Sequence, residues 1–161
     1  MSMFRPSQLP LAMEAAKKRQ VRSQFAALPF RMTDDGFQVM LVTSRTRKRW
    51  ILPKGWPEPG LTPAQCAEKE AFEEGGVKGK AYDLCLGVYS YAKLLDDGLL
   101  IPCLGMVFPI RVKTVLTKYP EKEERKRKWF SAKKAASLVD EPELKKIIKS
   151  FDPYWVVRRK S

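Results

Sequence analysis

The stretch that decides the fold runs from Lys54 to Gly76, KGWPEPGLTPAQCAEKEAFEEGG. It opens as a loop rich in glycine and proline and closes on two glycines, Gly75 and Gly76. Between them Thr62, Pro63 and Gln65 stand where an N-cap, a first-turn proline and a capping-box partner belong, so a helix is expected from Pro63. The glycine pair ends it, because glycine takes the left-handed conformation at a helix C-terminus at little cost. At roughly 100° per residue, Ala64, Ala67 and Ala71 form a stripe small enough to pack closely on a sheet. Glu70, Glu73 and Glu74 fall beside that stripe in an arc about 100° wide.

Those carboxylates need a reason, since the chain has 31 Lys and Arg against 18 Asp and Glu, a formal net charge of +13. Charge runs on helices are usually solvated faces. Glu70 and Glu74, however, form an i,i+4 like-charge pair, and Glu73 and Glu74 lie toward the end where the helix dipole disfavours anions. Lys69 and Lys78 offset part of this. A divalent cation would offset it better, and Mg²⁺ takes carboxylates plus substrate phosphates rather than a full protein cage. The positive excess points to an anionic partner, with nucleic acid, acidic lipid and polyphosphate metabolites all open.

Outward from this helix the pattern is mostly strand. Residues 23–31 and 37–44 read as a hairpin around the turn Thr33–Gly36, and residues 50–53 as a short third strand. Residues 82–95 and 99–112 read as a second hairpin around Asp96–Gly98, with Pro102 and Pro109 marking edges or bulges. A strand carrying Trp129 and Phe130 leads to a helix capped by Ser131 and an amphipathic helix over residues 143–151. The class is α+β, one domain at 161 residues. Its expected limits are an N-terminal arm over 1–20, with a helix over 13–19, a domain over 21–155 and a basic tail over 156–161. No run is long and apolar enough for a membrane span, and the N-terminus lacks a secretory h-region. Cys66, Cys85 and Cys103 lack metal spacing and read as reduced, buried thiols of a cytoplasmic protein, although the absence of acids before Glu14 leaves a transit peptide open. The chain has no histidine, which excludes Ser-His-Asp and Cys-His catalysis and the usual zinc sites.

The opening stretch resembles the Nudix box, the signature of hydrolases acting on a nucleoside diphosphate linked to another group. Gly55, Glu70, Ala71, Glu73, Glu74, Gly76 and Val77 match its spacing, and Glu58 matches a glutamate common in the loop. Two positions depart: Leu61 stands for the loop glutamate and Lys69 for the arginine, a pair that in the family ties loop to helix. Their joint exchange bears on loop rigidity and rate.

The resemblance implies an α/β/α sandwich with a mixed sheet, the box helix packed on it and the terminal helices on the other side. It implies Mg²⁺, with Mn²⁺ as a substitute, ligated by Glu73, Glu74 and the Lys54 main-chain carbonyl. Glu70 would complete that site or take the proton from the attacking water. Gly55, Glu58 and Gly76 would shape the box. A later-loop acid among Glu121, Glu123 and Glu124 is a weaker expectation than an ordinary charged loop. The loop LPKGWPEPG resembles that of dinucleoside polyphosphate hydrolases. The segments RSQFAALPFR, SRTRKRWILPKG and EERKRKWF resemble the diphosphoinositol polyphosphate phosphohydrolase branch.

Arg22, Ser44, Arg45, Arg47 and Lys54 are the expected phosphate contacts. Solvated charge is the competing reading for each, and the stronger one for Arg47. Lys48, Arg49 and the run Arg125–Lys128 read as solubilising charge. Trp56 either stacks on a base or packs on the helix. The expected partner is a polyphosphorylated small molecule, with no membrane partner, and the chain a monomer or homodimer. An RNA 5′ pyrophosphohydrolase and a catalytically weak nucleotide- or RNA-binding module are the alternatives.

Overall fold

Apolar residues at every second position of the first expected strand should place two faces of a sheet in two separate cores. The computed structural model, which describes residues 8–10 and 21–159, shows this. In β1 (Arg22–Thr33), Ala26, Leu28 and Phe30 enter one core while Ala27 enters the other. β2 (Gly36–Thr43) pairs antiparallel with it, Phe30 opposite Val39 and Thr33 opposite Gly36. Gly36 supplies the positive φ, 137°, at the end of the turn.

The chain continues through β3 (Trp50–Ile51), β4 (Lys54–Gly55), α1 (Pro63–Gly75), β5 (Val77–Ala81), β6 (Gly87–Leu94) and β7 (Leu100–Val115). It ends in β8 (Arg127–Phe130), α2 (Ala132–Leu138), α3 (Pro142–Lys149) and α4 (Pro153–Arg158). The sheet order is β3-β2-β1-β7-β5, with β4 on β1, β6 on β7 and β8 on β2. Among the described residues only β1 and β7 run parallel, Arg22 opposite Cys103 through Phe30 opposite Arg111, so the sheet is mixed.

α1 covers one face. Ala64, Ala67 and Ala71 lie against Ala27, Met40, Phe108 and Ile110, and the small side chains bring helix and sheet close. The terminal helices cover the other, with Leu144, Ile147, Ile148, Phe151 and Val156 packed on Leu28, Phe30, Val39 and Leu41. Each such leucine, isoleucine or phenylalanine contributes on the order of 1.5–3 kcal/mol by leaving water. The expected sandwich is the fold observed.

Several details differ from expectation. Strand β5 was not anticipated, because VKGKA is short and two of its five residues are lysine; the second hairpin's first strand starts only at Gly87. Pro109 is not at an edge: it lies opposite Leu28 of β1, where pairing on the far side of β7 passes from β6 to β5. Its missing N–H falls at that change of partner, and its carbonyl accepts from Tyr82 N at 3.1 Å. α4 carries the chain past residue 155, with Asp152 capping Tyr154 N and Trp155 N and with Val156 buried, so the boundary expected at 155 falls inside a helix. The helix expected over 13–19 lies outside the described residues. Gln8, also in the expected arm, clasps the outer edge of β6, its amide bonded to both N and O of Val88. No helix among the described residues is long and apolar enough to cross a membrane.

Candidate active site

Both ends of α1 are fixed by the residues expected to fix them. The Thr62 hydroxyl accepts from Gln65 N, and the Gln65 side chain accepts from Thr62 N at 2.9 Å. Gly76 takes φ 63° and ψ 38°, and a Cβ there would meet the Tyr119 ring at 2.3 Å. Arg127 closes the same end. Its Nη1 donates to the carbonyls of Gly75 and Gly76 at 2.9 and 3.1 Å and its Nη2 to Leu116 O, while the guanidinium lies 4.6 Å over Tyr119. This places a cation at the negative end of the helix dipole.

The three glutamates meet three different surroundings. Glu74 is buried, 5% exposed; its Oε1 accepts from Lys54 N at 3.2 Å and its Oε2 lies 3.4 Å from Arg125 Nη2. Burial pushes its carboxyl above the usual range, against the pull of Arg125. Glu73 is partly exposed, 3.8 Å from Lys69 Nζ, and its carbonyl accepts from Glu121 N at 2.9 Å. Glu70 lies against Gly55, where a Cβ would come within 2.1 Å of its Oε1; only glycine leaves room. It makes no hydrogen bond or ion pair among the described residues. Burial first, then the charges of Glu74, Glu73 and Glu121, push it up to about 8.

Among the described residues no three acidic, thiol or imidazole groups already surround one point as a cage. The donor set nonetheless fits a hard divalent ion. Mg²⁺ needs only one or two carboxylates beside water and substrate oxygens. The burial and repulsion that raise Glu70 are what such an ion would offset.

Three cations lie on the side of the sheet opposite α1. Lys54 Nζ sits 4.9 Å over the Tyr91 ring, and burial, reinforced by Lys93 and opposed by Glu74, pushes it down to about 8. Tyr91 in turn donates its hydroxyl to Gln24 Oε1. Across the register Arg22 is level with Cys103 and Cys103 with Tyr91, so Arg22 shares that face. Lys93, two residues along β6, reaches the ring of Trp56 at 5.7 Å.

Of the expected phosphate contacts, Arg22 and Lys54 lie on this face without an ion pair among the described residues, Lys54 against the Tyr91 ring. Arg45 is instead paired with Glu121 at 2.7 Å and Glu124 at 3.6 Å. Ser44 closes its own loop, its hydroxyl accepting from Arg49 N at 3.0 Å. Arg47 is exposed in the turn that follows. Glu58 and Lys69 form a two-pronged ion pair at 2.7 and 2.8 Å, so the tie between loop and helix lost at Leu61 is remade from another glutamate. Lys78 does not serve the carboxylates; its ammonium lies over Phe72.

Arg125 and Arg127 correct the reading of the basic run as solubilising charge, and Glu121 lies in its charged loop paired with Arg45 and Arg125. Arg125 is nearly buried and bonds Glu121 Oε1 at 3.0 Å and Thr43 O at 3.1 Å as well as reaching Glu74. Lys126 and Lys128 face solvent. The alternation of arginine and lysine in RKRK was the available signal: at period two, both arginines share one face of a strand. Cys66 and Cys103 are buried as expected, whereas Cys85 is only half-buried.

The model of the NUDIX domain family matches residues 22–151, and the chain belongs to that family. Among curated proteins it is 36% identical over 104 residues to Nudix hydrolase 12, mitochondrial, of Arabidopsis thaliana, covering 63% of this chain and 51% of that protein. It is 30% identical over 139 residues to diphosphoinositol polyphosphate phosphohydrolase 2 of Rattus norvegicus, covering 84% and 70%. The chain thus spans about half the length of the Arabidopsis relative. In fold it is similar to the crystal structure of the C. elegans Ap4A hydrolase, with TM-score 0.60 and 16% identity over 84% of this chain and 98% of that one.

Proposed function

We propose that the chain is a Mg²⁺-dependent hydrolase that splits a pyrophosphate bond in a polyphosphorylated small molecule, a dinucleoside polyphosphate or a diphosphoinositol polyphosphate. The observation that carries this reading is Glu70: a half-buried carboxyl without a partner, raised to about 8 among three other acids, next to a loop whose lysine faces the cationic side of the sheet. Glu70, Glu73, Glu74 and the Lys54 carbonyl would hold Mg²⁺, or Mn²⁺ in its place. Bound there, the ion would polarise phosphate oxygens and lower the pKa of a water molecule.

The chain's own groups do the rest. Arg22 and Lys54 bind phosphate oxygens. With the ion bound Glu70 is ionised, and it either completes the ligand set or takes the proton from the attacking water. Arg125 orients Glu74, and the Glu58–Lys69 pair steadies the loop that carries Lys54 and Gly55. Arg45, Ser44 and Arg47 serve as contacts only when substrate draws them from their present partners or from solvent. The names of the Arabidopsis and rat relatives support the class of reaction, and the rat relative supports a phosphate-rich substrate. For location we propose the cytoplasm; the Arabidopsis relatives are named mitochondrial, and imaging a tagged full-length chain decides between the two.

The test is hydrolysis of a panel containing diadenosine polyphosphates and diphosphoinositol polyphosphates, with Mg²⁺ and with chelator. Cleavage that needs the metal and is lost in Glu73→Gln supports the proposal. A silent panel, or cleavage unaffected by Glu73→Gln, overturns it.

A further inference from the structure

The row of cations opposite α1 ends in a surface of a different kind. Beyond Lys93 lies Trp56, 37% exposed and part of neither core, with the Lys93 ammonium 5.7 Å from its ring. Lys93 leads into the β6–β7 hairpin, where Leu94, Leu99 and Leu100 are 51–57% exposed. Its tip carries Asp96 and Asp97, both exposed, and Gly98 at φ 85°. In a chain of net charge +13, this end of the row is apolar and locally acidic.

That change of character discriminates between the two substrates named above. A diphosphoinositol polyphosphate carries phosphates all around its ring, so cations are wanted wherever the ring lies. Past Lys93 the hairpin carries no cation as far as Ile101, only exposed leucines and two aspartates, which would repel a second set of phosphates. A dinucleoside polyphosphate is linear, with charge in the middle and a flat, largely apolar base at each end. An exposed indole is a stacking surface for such a base, and Lys93 stands where the phosphate chain gives way to it.

We propose that Trp56, with Lys93 beside it, forms a base-stacking subsite and selects a dinucleoside polyphosphate over a diphosphoinositol polyphosphate. The inference rests on the polyphosphate reading of the active site, but its test separates the two. Equilibrium binding of adenosine 5′-tetraphosphate and of inorganic tetrapolyphosphate is measured by calorimetry without metal for the intact chain, Trp56→Ala, Trp56→Phe and Lys93→Ala.

Stacking predicts about a tenfold weaker affinity of Trp56→Ala for the nucleotide, less than a twofold change for tetrapolyphosphate, and recovery of most of the loss in Trp56→Phe. Lys93→Ala weakens both. Equal losses on the two ligands in Trp56→Ala, or no loss on the nucleotide, overturn the subsite even where the chain hydrolyses polyphosphates. In the kinetic arm, a kcat/KM for a diphosphoinositol polyphosphate above that for diadenosine tetraphosphate overturns the selectivity. A chain that hydrolyses neither refutes the proposed activity, while the binding arm still decides the subsite.

Discussion

Burial, then the neighbouring acids, push the Glu70 carboxyl from its ordinary 4.5 up to about 8, so the sign of its effect on stability is fixed. Below about pH 4.5 the carboxyl is protonated in both states and its contribution is fully present. As pH rises toward 8 the unfolded chain ionises first, and stability is lost through that window. Glu74 and Glu141, also raised by burial, act in the same direction. Lys54, lowered from 10.5 to about 8, carries the cost of its buried charge throughout this window and adds little slope. A divalent ion stabilises the ionised acids, so the gain in Tm on adding Mg²⁺ to chelated protein should grow from about pH 5 to about pH 8 and flatten in Glu70→Gln. A gain independent of pH would contradict the charge assignment. Arg125 offers a second test, because it is the buried counter-ion of both Glu74 and Glu121. Arg125→Leu should cost about 3 kcal/mol in denaturant unfolding, mainly from leaving Glu74 buried without its cation, since Glu121 keeps Arg45. Adding Glu121→Leu should cost less than the sum of the single changes.

The elements that hold the site differ in how visible they are from sequence. α1 was legible end to end, because cap, proline, alanine stripe and glycine pair are all local and agree with one another. The Glu58–Lys69 tie was not, since it joins residues eleven apart whose pairing depends on how the loop folds back. Lys69→Met should leave Tm nearly unchanged, as exposed pairs contribute little, but should speed backbone hydrogen exchange over residues 56–61. Unaltered exchange there would show that the tie does not steady the loop. β5 was missed because its pairing is long-range and interrupted. Its register with β7 shifts between Lys78 and Gly79, and a Cβ on Gly79 would come within 1.9 Å of Arg111 O. Gly79→Ala should therefore cost on the order of 1–3 kcal/mol. An unfolding midpoint equal to that of the native chain would show that the two strands can part at this point. α4 was missed for the opposite reason: PYWVVR is too short for periodicity to identify, and only its fit against the rest of the core orders it.

Across the molecule, the mixed sheet separates two jobs. One face carries α1 and its acids; the other carries Arg22, Lys54 and Lys93; β4 and its loop pass between them at the point where Lys54 N bonds Glu74. The net charge foretold an anionic partner but not this division, because composition holds no directions. Nor could composition tell the arginines that complete the fold from the lysines that face water. The most direct measurement is a crystal structure grown with Mg²⁺ and a non-hydrolysable polyphosphate. It should show an ion touched by oxygens of the α1 glutamates and the Lys54 carbonyl, with phosphate oxygens against Arg22 and the Lys54 ammonium. Phosphate bound elsewhere, with the three glutamates turned to bulk water and no ion among them, would contradict the account.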